Sequence, residues 1–227
     1  MDQLKKFGLV EKAAGPLVPD MEAINRLTLE PLTEDEVFVF RLAASNNLED
    51  RDLERFTERS LRDMARLYVG RTVLFDHVWS AECQVARVYA AEVVEDPESP
   101  QRRVLRLVLS CYMMRSAQTQ PLIDAIRGGI LREVSVGCAV EKVLCSVCGQ
   151  NLREKSCAHR KGQIYDGERC VHELDGVRDV YEVSFCAVPA NAEAGVTKST
   201  APDPTPAEDT EKSAWDQLLA QMAQVFA

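Results

Sequence analysis

The sequence predicts an α+β fold with a mainly antiparallel, barrel-like β core and flanking helices. About six or seven segments are rich in strand-forming residues, and only a few helical patterns lie between them. The chain has 227 residues, of which 46% are hydrophobic, so it can bury a substantial core. We therefore expect one folded core domain with additional segments at its ends.

Strand and helix patterns alternate in the first part of the chain. Residues 1–35 predict an N-terminal arm, because Gly and Pro residues interrupt every helical pattern there. Residues 37–42 are rich in β-formers and predict a strand. Residues 49–68 predict an amphipathic helix, and residues 71–78 predict a strand that contains His77.

The next elements are a hairpin, a short helix and two further strands. Segments at 83–94 and 103–111 are separated by Glu-Asp-Pro-Glu-Ser-Pro, which is turn chemistry and predicts an antiparallel hairpin. Pro121 suits the first turn of a short helix that a Gly-Gly pair ends. Strands at 131–140 and 179–186 follow, and a cysteine-rich loop joins them.

Composition divides the chain into four parts. Residues 36–196 form the predicted core, which includes a small zinc-binding insertion at 144–173. Residues 197–208 are rich in Thr, Ser, Pro and charged residues and predict a disordered linker. Residues 209–227 predict an amphipathic helix, which either docks on its own domain or binds a partner. Its apolar residues at helical spacing are Trp215, Leu218, Leu219, Met222 and Phe226.

Charge and hydropathy limit the partners of the protein. There are 36 acidic and 27 basic residues, giving a net charge of -9, which disfavours nucleic-acid binding. No apolar run reaches the roughly 18 residues that a membrane span needs, and the N-terminal sequence lacks the apolar segment of a secretory signal. We expect a cytoplasmic protein with neither nucleic acid nor membrane as a partner.

The cysteine-rich loop has the spacing of a metal site. Two residues separate Cys145 from Cys148, a spacing that lets a tight turn direct both thiolates to one ion. Cys157 and His159 follow, and these four N and S ligands predict a closed, structural Zn²⁺ site. Cys170, in a second Cys-x-His sequence, is an alternative ligand in place of Cys157 or His159. Because cytosolic thiols stay reduced, these cysteines are more readily explained as ligands than as disulfides.

Strand alternation groups the candidate catalytic residues. Alternation in the predicted strand at 131–140 puts Ser135 on the less apolar face of that strand. In the predicted strand at 179–186, Glu182 and Ser184 lie on the less apolar face and Tyr181 lies on the apolar face. A serine nucleophile requires a base, and that base requires an orienting group. His77 is the only histidine outside residues 145–172.

Three motifs in this order resemble the prohead (capsid maturation) serine proteases of tailed bacteriophages and prophages. The motifs are Phe75-Asp-His77, then Pro121-Leu-Ile-Asp-Ala-Ile-Arg-Gly-Gly-Ile-Leu-Arg-Glu-Val-Ser135-Val-Gly137, then Tyr181-Glu-Val-Ser-Phe-Cys-Ala-Val-Pro-Ala-Asn191. The similarity covers residues 37–196. That family is related in fold to the herpesvirus assemblins, and a subset of its members carries a similar cysteine-rich insertion.

The resemblance implies a β-barrel serine endopeptidase. Ser135 would be the nucleophile, His77 the general base and Glu182 the third member of the triad. The implied substrates are the scaffolding segment of the major capsid protein or a separate scaffold protein, together with the enzyme's own termini. The implied location is the cytoplasm of a bacterial host, inside the procapsid, and a homo-oligomer is a further expected assembly.

Two other classes of function fit the same residues. A non-catalytic capsid-assembly or adaptor protein would use the zinc loop and the C-terminal helix as binding surfaces. A cysteine-based enzyme would use the thiols between Cys145 and Cys170 as reactive groups. Thiol reactivity in the metal-loaded protein distinguishes the second of these from the first.

Overall fold

The computed structural model describes residues 17–96 and 103–199, which form a mixed α/β structure around one large, mostly antiparallel sheet. Its α-helices are α1 (Met21–Asn25), α2 (Glu58–Leu67) and α3 (Gln120–Arg127). Its strands are β1 (Val37–Asn46), β2 (Glu54–Phe56), β3 (Thr72–Phe75), β4 (Ala86–Glu95), β5 (Leu105–Met114), β6 (Val134–Cys145), β7 (Ile164–Tyr165), β8 (Glu168–Arg169), β9 (His172–Phe185) and β10 (Gly195–Ser199).

The order of the strands places β9 between β3 and β6. The sheet runs β10-β1-β5-β4-β3-β9-β2, and β6 pairs with β9 as well. β6 is antiparallel to β9, whereas β2 and β3 pair with β9 in parallel. Because β6 occupies one edge of β9, β2 and β3 share the other edge. β3 and β6 are therefore neighbours across a single strand.

The two ends of the sheet approach each other without regular pairing. A single antiparallel bridge joins Glu133, just before β6, to Gly195 of β10. Val196 N–H donates to the carbonyl of Arg132 at 2.8 Å. Among the described strands this contact does not extend into a ladder, so the sheet is not a closed barrel.

Both faces of β1 are buried, which explains its nearly continuous apolar sequence. Phe38, Phe40 and Leu42 pack into the main core beneath α2, whereas Val37 and Val39 pack into a second cluster. That second cluster includes Ile24 of α1, which is fully buried. Apolar residues between Leu17 and Leu32 therefore pack against the sheet in this cluster.

The helix predicted at 49–68 is wrong in its first half. Residues 54–56 instead form β2, which pairs with the start of β9. The helix α2 begins at Glu58, where the Thr57 side chain accepts a hydrogen bond from Ser60 N–H as the N-cap. The hairpin of β4 and β5 is confirmed, because the two strands pair antiparallel over most of their length.

The strand bounds differ from the predictions at several ends. β6 and β9 extend further toward the cysteine-rich insertion, and β3 ends at Phe75, before His77. β10 runs to Ser199 and takes up the first residues of the predicted 197–208 linker. The remainder of that linker, the 209–227 helix and residues 1–16 of the arm lie outside the described residues. No helix of the described part is long and apolar enough to cross a membrane.

Candidate active site and metal centre

His77 lies in a strained turn immediately after β3. Asp76 and His77 have φ values of 48° and 55°, a region that residues other than glycine rarely occupy. The turn is held because Asp76 N–H donates to the carbonyl of Phe185 at 2.9 Å. Strain of this kind persists where the surrounding structure fixes it, and it clusters at active sites. The prediction that His77 lies within a strand is wrong, and the turn instead brings it against β9.

Glu182 is the buried acidic partner of His77. Its side chain is 2% exposed, and Oε1 lies 2.8 Å from His77 Nδ1. Its second oxygen, Oε2, accepts a hydrogen bond from the hydroxyl of Ser184. A buried carboxylate is costly unless it is paired, and here both oxygens have partners. With Nδ1–H held by Glu182, the imidazole presents Nε2 as its basic nitrogen.

Ser184 connects the carboxylate to the strained turn. It is fully buried, and its Oγ accepts a hydrogen bond from His77 N–H at 3.1 Å while donating to Glu182 Oε2. One hydroxyl therefore positions both the backbone of His77 and the side chain of Glu182. The sequence placed Ser184 on the face of Glu182 through their two-residue spacing, but it gave no reason to assign Ser184 a role.

Gly137 leaves the space that the carboxylate occupies. It lies opposite Glu182 in the register of β6 and β9. A Cβ at this position would overlap Glu182 Oε1 and lie 3.2 Å from Cδ. The backbone of Glu182 is also fixed from the other side, because the hydroxyl of Tyr68 donates to its carbonyl at 3.0 Å. The position of Glu182 is thus set by residues from β6, β9 and the end of α2.

Ser135 lies directly opposite Ser184 in the antiparallel register of β6 and β9. Directly opposite residues have side chains on the same face, so Ser135 shares a face with Ser184 and Glu182. Ser135 is partly exposed. Within the part of the chain that the structure describes, its Oγ makes no hydrogen bond, and none joins it to His77. Such bonds are often long in substrate-free enzymes and shorten when substrate binds.

The predicted apolar face of β9 is only partly buried. Val183 and Phe185 lie in the core, but Tyr181 is 41% exposed and its ring packs at 5.2 Å from that of Trp79. The opposite face, with Glu182 and Ser184, is buried as well. The physical reason is the His77 turn, which covers this face with polar groups that satisfy the carboxylate and the hydroxyl.

The insertion between β6 and β9 brings three thiols and one imidazole together. The ligand atoms of Cys145, Cys148, Cys157 and His159 all lie within 4.8 Å of one another. Gly149 has φ of 70° and its N–H donates to the carbonyl of Cys145 at 2.8 Å, which closes the tight turn between the first two thiols. This group could hold a metal ion.

Cys170 makes a fifth sulfur or nitrogen donor at the same place. Its Sγ is 3.8 Å from Cys145 Sγ, and His159 Nδ1 is 3.7 Å from the same sulfur. Two thiolates bound at about 2.3 Å to one tetrahedral ion are about 3.8 Å apart. Both distances fit a shared ion, so the donors suit tetrahedral zinc while Cys170 stays an alternative ligand.

The thiols of this cluster differ in acidity. Burial raises the pKa of Cys145, but the backbone N–H groups of Cys148 and Val147 and the neighbouring thiols outweigh it and lower the pKa to about 6. Burial and the adjacent Cys145 raise the pKa of Cys170 to about 11. The backbone N–H groups of this turn therefore favour a thiolate at Cys145, which is the form in which cysteine binds a metal.

His159 is oriented by a residue of the small β7-β8 hairpin. The rings of His159 and Tyr165 meet edge to face, with centroids 4.6 Å apart. The Tyr165 hydroxyl accepts the N–H of Arg160 at 3.0 Å, which ties the hairpin to the His159 segment. The insertion is thus more regular than the sequence predicts, and its turns converge on the metal ligands.

Comparison with known proteins finds no family model, no curated protein and no solved structure that matches the chain. The site itself, with its geometry, is therefore the basis for a functional conclusion.

Proposed function

We propose that this chain is a serine endopeptidase with Ser135 as nucleophile, His77 as general base and Glu182 as the orienting acid. The observation that carries the proposal is the buried Glu182 carboxylate on Nδ1 of a histidine held in a strained turn. Strained backbone clusters at functional sites, and two successive residues with positive φ hold His77 against β9 here. A buried carboxylate on one imidazole nitrogen leaves the other nitrogen available as a base.

In this mechanism each residue has one task. His77 takes the proton from Ser135 Oγ as that oxygen attacks a peptide carbonyl, and later gives it to the leaving amine. Glu182 keeps the proton on Nδ1 and stabilises the imidazolium. Ser184 fixes the positions of the Glu182 carboxylate and the His77 backbone. Little rearrangement is then needed when positive charge develops on the imidazole.

The biological setting that we propose follows the resemblance to prohead proteases. The enzyme would cleave the scaffolding segment of a major capsid protein, or a separate scaffold protein, during procapsid maturation in the host cytoplasm, and would also trim its own ends. The near approach of β6 and β10 at Glu133 and Gly195 supports a barrel-like core of the kind that this family has. Zinc would be a structural cofactor that stabilises the insertion.

Co-expression with the capsid protein tests the proposal. Wild-type protein should shorten the capsid or scaffold protein on a denaturing gel, and Ser135→Ala should abolish that cleavage while remaining folded and retaining its zinc. Ser116→Ala, an exposed serine away from the site, is the matched control and should cleave normally. Normal cleavage by Ser135→Ala would disprove the proposed nucleophile.

A second candidate function is a non-catalytic, zinc-containing assembly or adaptor protein. It is favoured by the missing hydrogen bond between Ser135 and His77 in the described residues. On this alternative, no cleavage depends on Ser135, and removal of the metal abolishes binding to capsid or scaffold protein. The same co-expression therefore separates the two functions.

A further inference from the structure

A cavity of about 330 Å³ opens beside Ser135 and extends toward the metal-binding insertion. Its lining includes Ser135, Val136 and Val140 of β6, the end of β1, and several residues between Leu48 and Phe56. Its volume is at the lower end of the range for ligand sites, about 300–1,000 Å³. The cavity is thus large enough for a few side chains of a peptide, next to the proposed nucleophile.

The edge of β6 that faces this cavity is free of strand partners over its middle. At one end it meets Gly195 through the single bridge at Glu133, and at the other Leu144 bridges to Asn151. Between these two bridges, the described residues supply no neighbouring strand on this edge. Unpaired backbone N–H and C=O groups of this kind accept an extended peptide as an added strand.

The metal-binding insertion reaches the cavity through one lining residue, Arg153. Its chain turns back from the Cys145–Cys148 knuckle and runs beside β6, with Leu152 N–H donating to Val143 O at 2.7 Å and Cys145 N–H donating to Gln150 O at 3.0 Å. The next residue, Arg153, lines the cavity. Two hydrogen bonds therefore connect the first metal ligands to the position of Arg153.

Charged side chains of both signs line the cavity: Asp50, Asp52, Glu54, Arg55 and Arg153. Glu54 and Arg55 form ion pairs with Lys161 and Glu173, respectively. Arg153 is exposed and forms no ion pair within the described part of the chain. The side of the insertion therefore attracts an acidic side chain of a bound peptide.

We propose that this cavity binds an extended segment of the substrate along β6, and that the metal-binding insertion contributes Arg153, which contacts an acidic peptide residue. Bound metal then strengthens peptide binding, because it fixes the turn from which Arg153 projects. The identity of the peptide as a substrate rests on the proposed protease function, but its binding to the cavity does not depend on cleavage.

Peptide binding to the inactive Ser135→Ala protein tests this inference. The probes are fluorescein-labelled ten-residue peptides that tile the capsid protein used for co-expression, and the measurement is fluorescence anisotropy with and without prior removal of metal by a chelator. We expect at least one peptide that contains Asp or Glu to bind, and its affinity to fall about tenfold or more when the metal is removed. Circular dichroism reports whether the stripped protein keeps its strands.

A charge reversal tests the same cavity while the metal stays bound. Arg153→Glu should weaken binding of that acidic peptide by about fivefold, as expected for loss of an exposed ion pair. Arg178→Glu is the matched control, because Arg178 is exposed on β9, outside the insertion, and does not line the cavity, and it should leave the affinity unchanged.

The outcomes separate this inference from the proposed function. If wild-type protein cleaves capsid protein but peptide affinity is unaffected by both metal removal and Arg153→Glu, the cavity inference is wrong and the protease proposal stands. If no peptide binds at all, the inference is also wrong. If peptides bind in the expected manner but no cleavage depends on Ser135, the protease proposal fails and the cavity is a binding site alone.

Discussion

At the scale of single residues, one buried hydroxyl, that of Ser184, forms hydrogen bonds with both His77 and Glu182 of the proposed catalytic site. Ser184 accepts from the backbone of His77 and donates to the carboxylate of Glu182, so it restrains both the turn and the acid. Gly137 completes the arrangement by leaving room for the carboxylate. The site therefore depends on two residues that take no part in bond making.

Replacement of Ser184 by alanine should reduce kcat about 10- to 100-fold with little change in KM. The reason is that one hydrogen bond to a charged group, worth about 1.5–3 kcal/mol, holds Glu182 in place. The assay is steady-state cleavage of a peptide from the capsid cleavage junction. Ser110→Ala, a buried serine in β5, is the control for loss of a strand hydroxyl and should keep its kcat. An unchanged kcat in Ser184→Ala would remove Ser184 from the positioning role.

Residue spacing predicted part of this arrangement. Alternation put Ser135 on one face of its strand and Glu182 with Ser184 on one face of theirs, and the β6-β9 register brings those two faces together. Alternation could not place His77, because the left-handed turn at Asp76 and His77 contains no glycine that would predict it from the sequence. It also misjudged Tyr181, since alternation shows which residues share a face but not which face is covered.

At the scale of elements, the insertion between β6 and β9 folds around the four residues that could hold a metal ion. Short turns, the β7-β8 hairpin and the bridge from Leu144 to Asn151 all converge on the cysteines. The spacing of the cysteines predicted this convergence, because two cysteines with two residues between them fix a local turn when they share an ion. The helix prediction at 49–68 failed for the opposite reason: β2 exists only through pairing with β9, which lies more than 100 residues further along the chain.

Ligand substitutions should rank the five donors of the metal centre. Cys145→Ser should lower zinc affinity by about 100-fold or more, because a structural zinc site of four ligands is worth about 10–16 kcal/mol in total. Cys170→Ser should keep one zinc per chain if Cys157 and His159 complete the site. Zinc content and competition with a chromophoric chelator measure both effects.

A cysteine outside the insertion provides the control for these ligand substitutions. Cys83 lies in a short 3-10 helix at Ala81–Cys83, outside the insertion, so Cys83→Ser should bind zinc as the wild type does. The contrary result is that Cys170→Ser loses zinc, while Cys157→Ser or His159→Ala keeps it. That result would show that Cys170 is a ligand and that the residue replaced in the zinc-retaining variant is not.

At the scale of the whole molecule, the site exists because β9 lies between β3 and β6. His77 follows β3, Glu182 and Ser184 lie on β9, and Ser135 lies on β6. Local pattern predicted most of these strands but not their order, since the parallel pairing of β3 with β9 joins segments far apart in sequence. The buried faces of β1, with α2 on one side and α1 on the other, hold the sheet that fixes this order.

The most direct test of the central claim is reaction with a fluorophosphonate, which forms a covalent adduct with activated serines, followed by intact mass and peptide mapping. We predict one adduct per chain, located on Ser135, and its loss in His77→Ala and Glu182→Ala proteins that remain folded. An adduct on Ser184, or no adduct on the folded, zinc-loaded wild type, would contradict Ser135 as a nucleophile activated by His77.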